Sequence, residues 1–369
     1  MRGIIKRLIY FLFILYTNSN ENTDVECFGS KLACEYNYSD MTFTKTRASF
    51  AVISNKDKNS IFATQILSIK EQLEGGVHAF HLTLHRDPKA TDLKSKPFLC
   101  YPDCTQIRGG YLVDTLNIFY SWLNSHPSVI LTIFLDNTFL IPAQDIIDAF
   151  SKAKLLQYTF PKFLLNTLSE DESGYKWPKI GKMIETDKRL VVFEEVSDSL
   201  APKLAWVHSA STEILKIEKT ADYLSGEWKC NPWRADGFNY LVEISHYANA
   251  TAIVNNTLTD DIPNFENAAY MNSEQYYKHI LFCKHSVSIN WVNFMLVDFF
   301  GVGDIPEINN GLNSLNSTLN YFDFLPDFYE NKAPLLQNFV KYIKSRSSKK
   351  HYNFFLNFLL LSFCLCFTF

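Results

Sequence analysis

Four short runs of the chain, at 77–85, 129–135, 190–193 and 294–299, are either apolar at nearly every position or alternate with a period of two. Between them the stretches 61–74, 111–125, 143–153 and 273–283 carry apolar residues at helical spacing. A run such as Val129-Ile-Leu-Thr-Ile-Phe-Leu135 has no polar face to turn to water, so it predicts a strand covered on both sides. Strands of that kind separated by helices predict a parallel α/β sheet. In the run at 77–85, His81, Thr83 and His85 fall on one face, and Phe80, Leu82 and Leu84 fall on the other with His78. No internal repeat, Gly- or Ser-rich linker or low-complexity block divides the pattern, so a single domain over 20–340 is expected.

The two ends depart from this pattern. Arg2, Lys6 and Arg7 precede an apolar run at 8–16, and Thr17 and Ser19 follow in a small-x-small arrangement, the layout of a secretory signal over 1–19. Read as a membrane anchor, the run falls far short of the ~20 residues that a spanning helix needs. At the other end, 354–369 is an apolar tail behind a polar stalk over 341–353. Small residues, a polar spacer and a terminal apolar tail are the layout of a glycolipid (GPI) anchor signal, with Ser347 and Ser348 as attachment candidates. The spacer is shorter than usual, and a retained tail-anchoring helix is the alternative. Both readings place the body of the protein outside the cell at a membrane surface. Without 1–19 and 349–369 the chain loses five cations and no acid, so its formal charge moves from −4 to −9. That acidity argues against a nucleic-acid partner. The roughly 325 residues that remain exceed the usual single core but suit a (β/α) barrel.

Six cysteines lie in the body and two, Cys364 and Cys366, in the tail. An even number in an exported chain predicts disulfides, and the local pairs Cys27–Cys34 and Cys100–Cys104 leave Cys230–Cys283, one of fifteen formal pairings. A structural zinc site is the alternative, but the close Cys-x-x-Cys or His-x-x-x-His companions of such sites are missing, and no resident metal is expected. Sequons at Asn37, Asn249, Asn255 and Asn316 agree with passage through the secretory pathway. Trp177-Pro178 and Trp206 read as packing and turn residues, and Asp260-Asp261 as a loop. No Walker loop, dinucleotide fingerprint or Ser-x-Gly nucleophile elbow is present.

A series of motifs runs in order along the chain. Cys27-Phe-Gly-Ser-Lys-Leu-Ala-Cys34 is followed by Tyr38-Ser-Asp-Met-Thr-Phe43, by Thr42-Phe-Thr-Lys-Thr-Arg-Ala-Ser-Phe50 and by Gln72-Leu-Glu-Gly-Gly-Val77. Phe98-Leu-Cys-Tyr-Pro-Asp-Cys104, Trp177-Pro-Lys-Ile-Gly-Lys-Met-Ile184, Lys188-Arg-Leu-Val-Val-Phe193 and Asn293-Phe-Met-Leu-Val-Asp-Phe-Phe-Gly-Val-Gly303 complete the series. Together they resemble the phosphatidylinositol-specific phospholipase C X-domain family in its secreted, fungal-type, single-domain form. The resemblance implies a TIM (β/α) barrel with its site at the carboxyl ends of the strands.

In active members of that family one histidine deprotonates the inositol 2-hydroxyl and a second protonates the departing glycerol oxygen. The resemblance puts Arg47 in the base slot, where the family reads Gly-Ala-His-Asn-Ser-Phe, and Tyr101 in the acid slot, where it reads Leu-Cys-His-x-x-Cys. The Asp and Arg of the bacterial members' second strand fall on His81 and Thr83, the Arg that opens that strand falls on His78, and the carboxylate after the last strand falls on Asp298. Arginine, with a pKa above about 12, cannot accept a proton near neutral pH. Each general acid or base is worth about 10² to 10⁴ in rate, so the replacements imply an impaired phosphodiesterase.

Two rescues enter the expectation. His81 or His85 could serve as a displaced base, which would leave an active phosphoric diester hydrolase of lipid metabolism; polar filling of the barrel is the plainer role for both. His81 and His85 stand ~13 Å apart along a strand, too far to share one ion. Asp136, Glu194 and Asp298, each at a strand's carboxyl end, could hold Ca²⁺, although solvated loop acids are the commoner case. Otherwise no cofactor is expected. A guanidinium at 47 could still grip a phosphate bidentately, which predicts a monomeric binder of phosphoinositide or inositol phosphate headgroups. A surface adhesin or structural protein is the third class.

Overall fold

The computed structural model describes residues 26–53, 60–89, 96–168, 177–217, 229–233, 241–254, 257–287, 289 and 291–313. The segments expected to be signal, stalk and tail, with Asn255, Asn316, Ser347 and Ser348, lie outside the described residues. Thirteen strands are described: β1 (Phe43–Thr46), β2 (Ala79–Arg86), β3 (Pro97–Tyr101), β4 (Ile107–Tyr111), β5 (Leu131–Asp136), β6 (Leu190–Glu194), β7 (Val207–Ser209), β8 (Ile214–Ile217), β9 (Pro232–Trp233), β10 (Leu241–Ser245), β11 (Asn249–Val254), β12 (Thr257–Pro263) and β13 (Phe294–Val297). Eight of them run parallel in the order β7-β6-β5-β2-β1-β13-β10-β8, which is chain order around a barrel. The ring is a TIM barrel, closed except between β7 and β8, where the short helix Ala210–Glu213 carries the chain across.

Period-two alternation sorts the barrel's side chains. Phe80, Leu82 and Leu84 of β2, with Ile133, Val192, Ile244 and Met295, enter the larger core, which the helices Leu112–Ser125, Ala143–Lys152 and Glu274–Ser286 also line. Phe43, Phe134, Phe193 and Phe294 belong to a second core inside the barrel, with Phe134 stacked on Phe193 at 5.2 Å and edge-on to Phe294 at 5.0 Å. Each of these rings is almost wholly buried and contributes roughly 2–3 kcal/mol of burial, before conformational entropy. On three of the strands they form a dry floor under the polar residues that follow two positions later, Lys45, Asp136 and Glu195.

Three elements differ from the sequence expectation. The stretch 61–74 is not one helix: a 3₁₀ turn at Ser60–Phe62 precedes extended backbone, and the helix spans only Ile69–Glu74. Ser68 starts that helix with a capping box, its Oγ accepting from Glu71 N–H while the Glu71 carboxylate accepts from Ser68 N–H. Asp260-Asp261 is not a loop but part of β12, at the register shift between the Ala252–Thr259 and Ala250–Ile262 pairs, an irregularity that tolerates residues of weak strand preference. The hairpin β3–β4, antiparallel to the end of β2, was not legible in the hydrophobic pattern either, since β4 reads Ile-Arg-Gly-Gly-Tyr. The three expected disulfides are present: Cys27–Cys34, Cys100–Cys104 and Cys230–Cys283. Trp177 is buried in the inner core, and Trp206 packs at the edge of the larger one. Among the described residues no helix is long and apolar enough to cross a membrane.

Candidate active site

β1 ends at Thr46, and the backbone turns at Ala48, whose φ of 37° lies in the left-handed region. This turn holds Arg47 over the barrel axis. Its backbone N–H donates to Val297 O at 3.1 Å, and its carbonyl accepts from Thr64 Oγ1 at 2.7 Å and from Gln65 Nε2 at 3.0 Å. The guanidinium is buried: Nε donates to Asp298 Oδ1 at 2.8 Å, Nη2 to Asp298 Oδ2, and Nη1 to Tyr101 Oη at 2.8 Å. The ring of Tyr247 lies 4.0 Å from its central carbon. Burial alone would lower the Arg47 pKa, but Asp298, with Tyr101 and Tyr247, more than offsets it and holds the group charged. Asp298 follows β13, and Asn272 Nδ2 fixes that backbone by donating to the Asp298 carbonyl at 2.9 Å.

Below this pair lies a second charged layer. Lys45, fully buried two residues before Arg47, donates from Nζ to Glu243 at 2.5 Å and to Glu195 at 3.1 Å, and rests 3.5 Å over the Phe134 ring. Lys216 on β8 reaches the same Glu195 at 2.6 Å. Burial would raise the Glu195 pKa, yet Lys216 and Lys45 outweigh it and hold the carboxyl well below its usual range. Burial would likewise lower Lys216, and Glu195 and Glu243 raise it instead. Every cation in the two layers therefore faces a carboxylate.

His81 faces into the barrel as the alternation on β2 requires. The Ala48 N–H donates to its Nδ1 at 3.1 Å, so the proton of the neutral ring sits on Nε2, which points to Asp136 Oδ2 at 4.0 Å. Burial, the largest influence, pulls the His81 pKa down to about 4 against the opposing pull of Glu195. The Nδ1 lone pair is engaged and Nε2 carries hydrogen, so neutral His81 offers no lone pair to a substrate. Thr83 stands beside Asp136 in register, and its Oγ1 is buried without a hydrogen-bond partner among the described residues. His85 is buried with its ring 4.1 Å from that of Phe139.

The structure thus brings Arg47, Tyr101, Asp298, His81, Thr83 and Asp136 to one mouth, at the carboxyl ends of the strands. His78 is not among them: it precedes β2 at the opposite end of the barrel, edge-on to Phe28 at 4.9 Å, with burial lowering its pKa to about 4. Glu194 points the other way from Phe193 and closes the turn at 197–201, accepting from Ser199, Leu200 and Ala201 N–H groups at 2.8 Å. Among the described residues, Asp136, Glu194 and Asp298 do not form a group whose oxygens lie within 4.8 Å of one another. Lys45, Glu195, Lys216, Glu243 and Tyr247 were not singled out from the sequence. Their signal is a charge inside an apolar strand, as in Ile214-Leu-Lys-Ile217 and Leu241-Val-Glu-Ile-Ser245, and the parity that makes Glu195, two past Phe193, the inward residue.

A family model described as PI-PLC X 1 matches residues 33–313. The PI-PLC X domain-containing protein 1 of Arthroderma benhamiae is 27% identical over 172 residues, which is 46% of this chain and 51% of that protein. The match thus spans about half the length of this relative. Among solved structures, a point mutant of the phosphatidylinositol-specific phospholipase C from Staphylococcus aureus is similar with a TM-score of 0.48 at 10% identity, over 76% of this chain and 93% of that one. A second mutant of the same enzyme gives 0.47 at 12% identity, over 77% and 97%. With the family match extending across the barrel from its first helix to Asn313, the chain belongs to the PI-PLC X family.

Proposed function

We propose that this PI-PLC X barrel does not hydrolyse phosphodiesters and instead binds the hydroxyl-rich ring of an inositol-type headgroup. The observation that carries the reading is the Arg47–Asp298 pair. The base slot holds a buried, permanently charged guanidinium, and the carboxylate that would orient a histidine there is occupied by two of its N–H groups. His81, the nearest substitute, has its Nδ1 lone pair engaged by Ala48.

The same geometry bears on the ligand. The edge of Arg47 that would fork onto a phosphate lies on Asp298, and Lys45 and Lys216 are held by Glu195 and Glu243. The Nε2–H of His81, Thr83 Oγ1 and the Tyr101 hydroxyl provide neutral donors and acceptors, and the Asp136 carboxylate a further acceptor, all suited to ring hydroxyls. Calorimetric titration with myo-inositol and with inositol 1-phosphate tests this. Binding of both within about tenfold supports it, and binding of the phosphate alone, or of neither, argues against it.

We place the protein outside the cell, tethered at the surface through Ser347 or Ser348, a reading that its three disulfides favour. Expressed in a eukaryotic host, it should be surface-bound and released by cleavage of a glycolipid anchor. Material that stays cell-associated after that treatment would support the retained helix.

A further inference from the structure

Beside the mouth, a ring nitrogen of His85 and the Sγ atoms of Cys100 and Cys104 all lie within 4.8 Å of one another. The two cysteines form a disulfide, with Cα atoms 4.9 Å apart. His85 is 6% exposed, and its Nε2 is buried with no hydrogen-bond partner among the described residues. An unpartnered buried nitrogen is destabilising as it stands, so its retention on a ring beside two sulfurs asks for a ligand.

We propose that reduction of Cys100–Cys104 turns this triad into a binding site for a soft divalent cation of the Zn²⁺ type, held by two thiolates and the His85 imidazole. A dithiol reductant gives two electrons and two protons to the disulfide and itself closes to a disulfide. Cys100 and Cys104 are freed as thiols, and the cation displaces their two protons as it binds. Thiolate and imidazole donors are the set Zn²⁺ prefers, and three of them leave a fourth tetrahedral position for water.

Two further observations single out this triad. Cys104 is only partly buried, and the bridge closes a ring of only four residues' separation, the class that stabilises a fold least through chain entropy. Among the described residues the other Cys–His–Cys group is Cys230, His279 and Cys283. There His279 Nδ1 meets His246 Nδ1 at 2.9 Å and Nε2 meets the Lys229 carbonyl at 3.2 Å, so both nitrogens are engaged. Tyr101 lies between the two cysteines, so a metal clasp would keep its hydroxyl near Arg47 as the disulfide does.

The test compares the full protein before and after treatment with a phosphine reductant, titrating with Zn²⁺ alone and with Co²⁺ for its sulfur-to-metal charge-transfer band. Cysteine alkylation, read by peptide mass, then maps which thiols the metal shields. The proposal expects about one Zn²⁺ per chain only after reduction, with Cys100 and Cys104 shielded. His85→Asn, checked for folding by its oxidised-state melting, should weaken uptake about tenfold or more, and His279→Asn should not. No uptake after reduction, uptake unchanged in His85→Asn, or shielding of Cys230 and Cys283 instead would overturn it.

Discussion

Arg47 and Asp298, 251 positions apart in the chain, meet edge to edge at the carboxyl ends of β1 and β13, with Nε donating to Oδ1 at 2.8 Å and Nη2 to Oδ2. Their strands are paired in parallel from Phe43–Phe294 to Thr46–Val297, so the barrel's register itself brings the two side chains together. The pair is almost fully buried, which makes it a feature of the fold as much as of the site.

Removing one partner should therefore cost more than removing both. Asp298→Ala leaves a buried guanidinium uncompensated and is expected to lower stability by roughly 3–5 kcal/mol. The double variant Arg47→Met with Asp298→Leu should recover most of that loss, because no charge remains to be desolvated. Urea unfolding of the three proteins measures the difference; equal losses in the single and double variants would show that the ion pair itself is stabilising.

Lys45 presents the same logic one layer down. Its ammonium bridges Glu195 and Glu243 inside the barrel, and Lys45→Met would leave Glu243 buried beside no cation it now contacts closer than Lys45 at 2.5 Å. A loss of about 3–5 kcal/mol is expected at pH 7. Denaturation curves of the wild type and Lys45→Met measure it, and a loss below about 1 kcal/mol would contradict it.

Acid should also weaken the wild-type fold in a defined window. The His81 and His78 pKa values are each lowered to about 4 from an ordinary 6.5, so the unfolded chain binds more protons than the folded one between those values. Their contribution is complete above about pH 6.5 and is lost as pH falls toward 4. His81→Asn keeps an acceptor for the Ala48 N–H and removes the titration. Its melting temperature should fall less than that of the wild type between pH 7 and pH 5; parallel curves would count against a buried neutral imidazole.

Much of the frame was legible because period-two alternation is strict. On β2, Phe80, Leu82 and Leu84 go to the outer core and His81, Thr83 and His85 turn inward, as the pattern of that run indicates. The charged layer was harder to read for a physical reason. Lys45 and Glu243 are 198 positions apart, and only ring closure makes them neighbours. Glu194 and Glu195 differ by one residue in sequence but by a full reversal of direction on the strand, so locating a carboxylate at a strand's end does not say which of two adjacent ones enters the barrel. Tyr247 meets Arg47 through the segment after β10, which no hydrophobic period announces.

A charged Arg47 locked on Asp298 cannot do the work of a general base. The most direct test is the release of inositol phosphate from phosphatidylinositol vesicles by the purified protein, followed by mass spectrometry over hours at pH 5 to 8. No release above the protein-free control is expected at any pH, in the wild type and in His81→Asn alike. Steady turnover by the wild type that disappears in His81→Asn would contradict it.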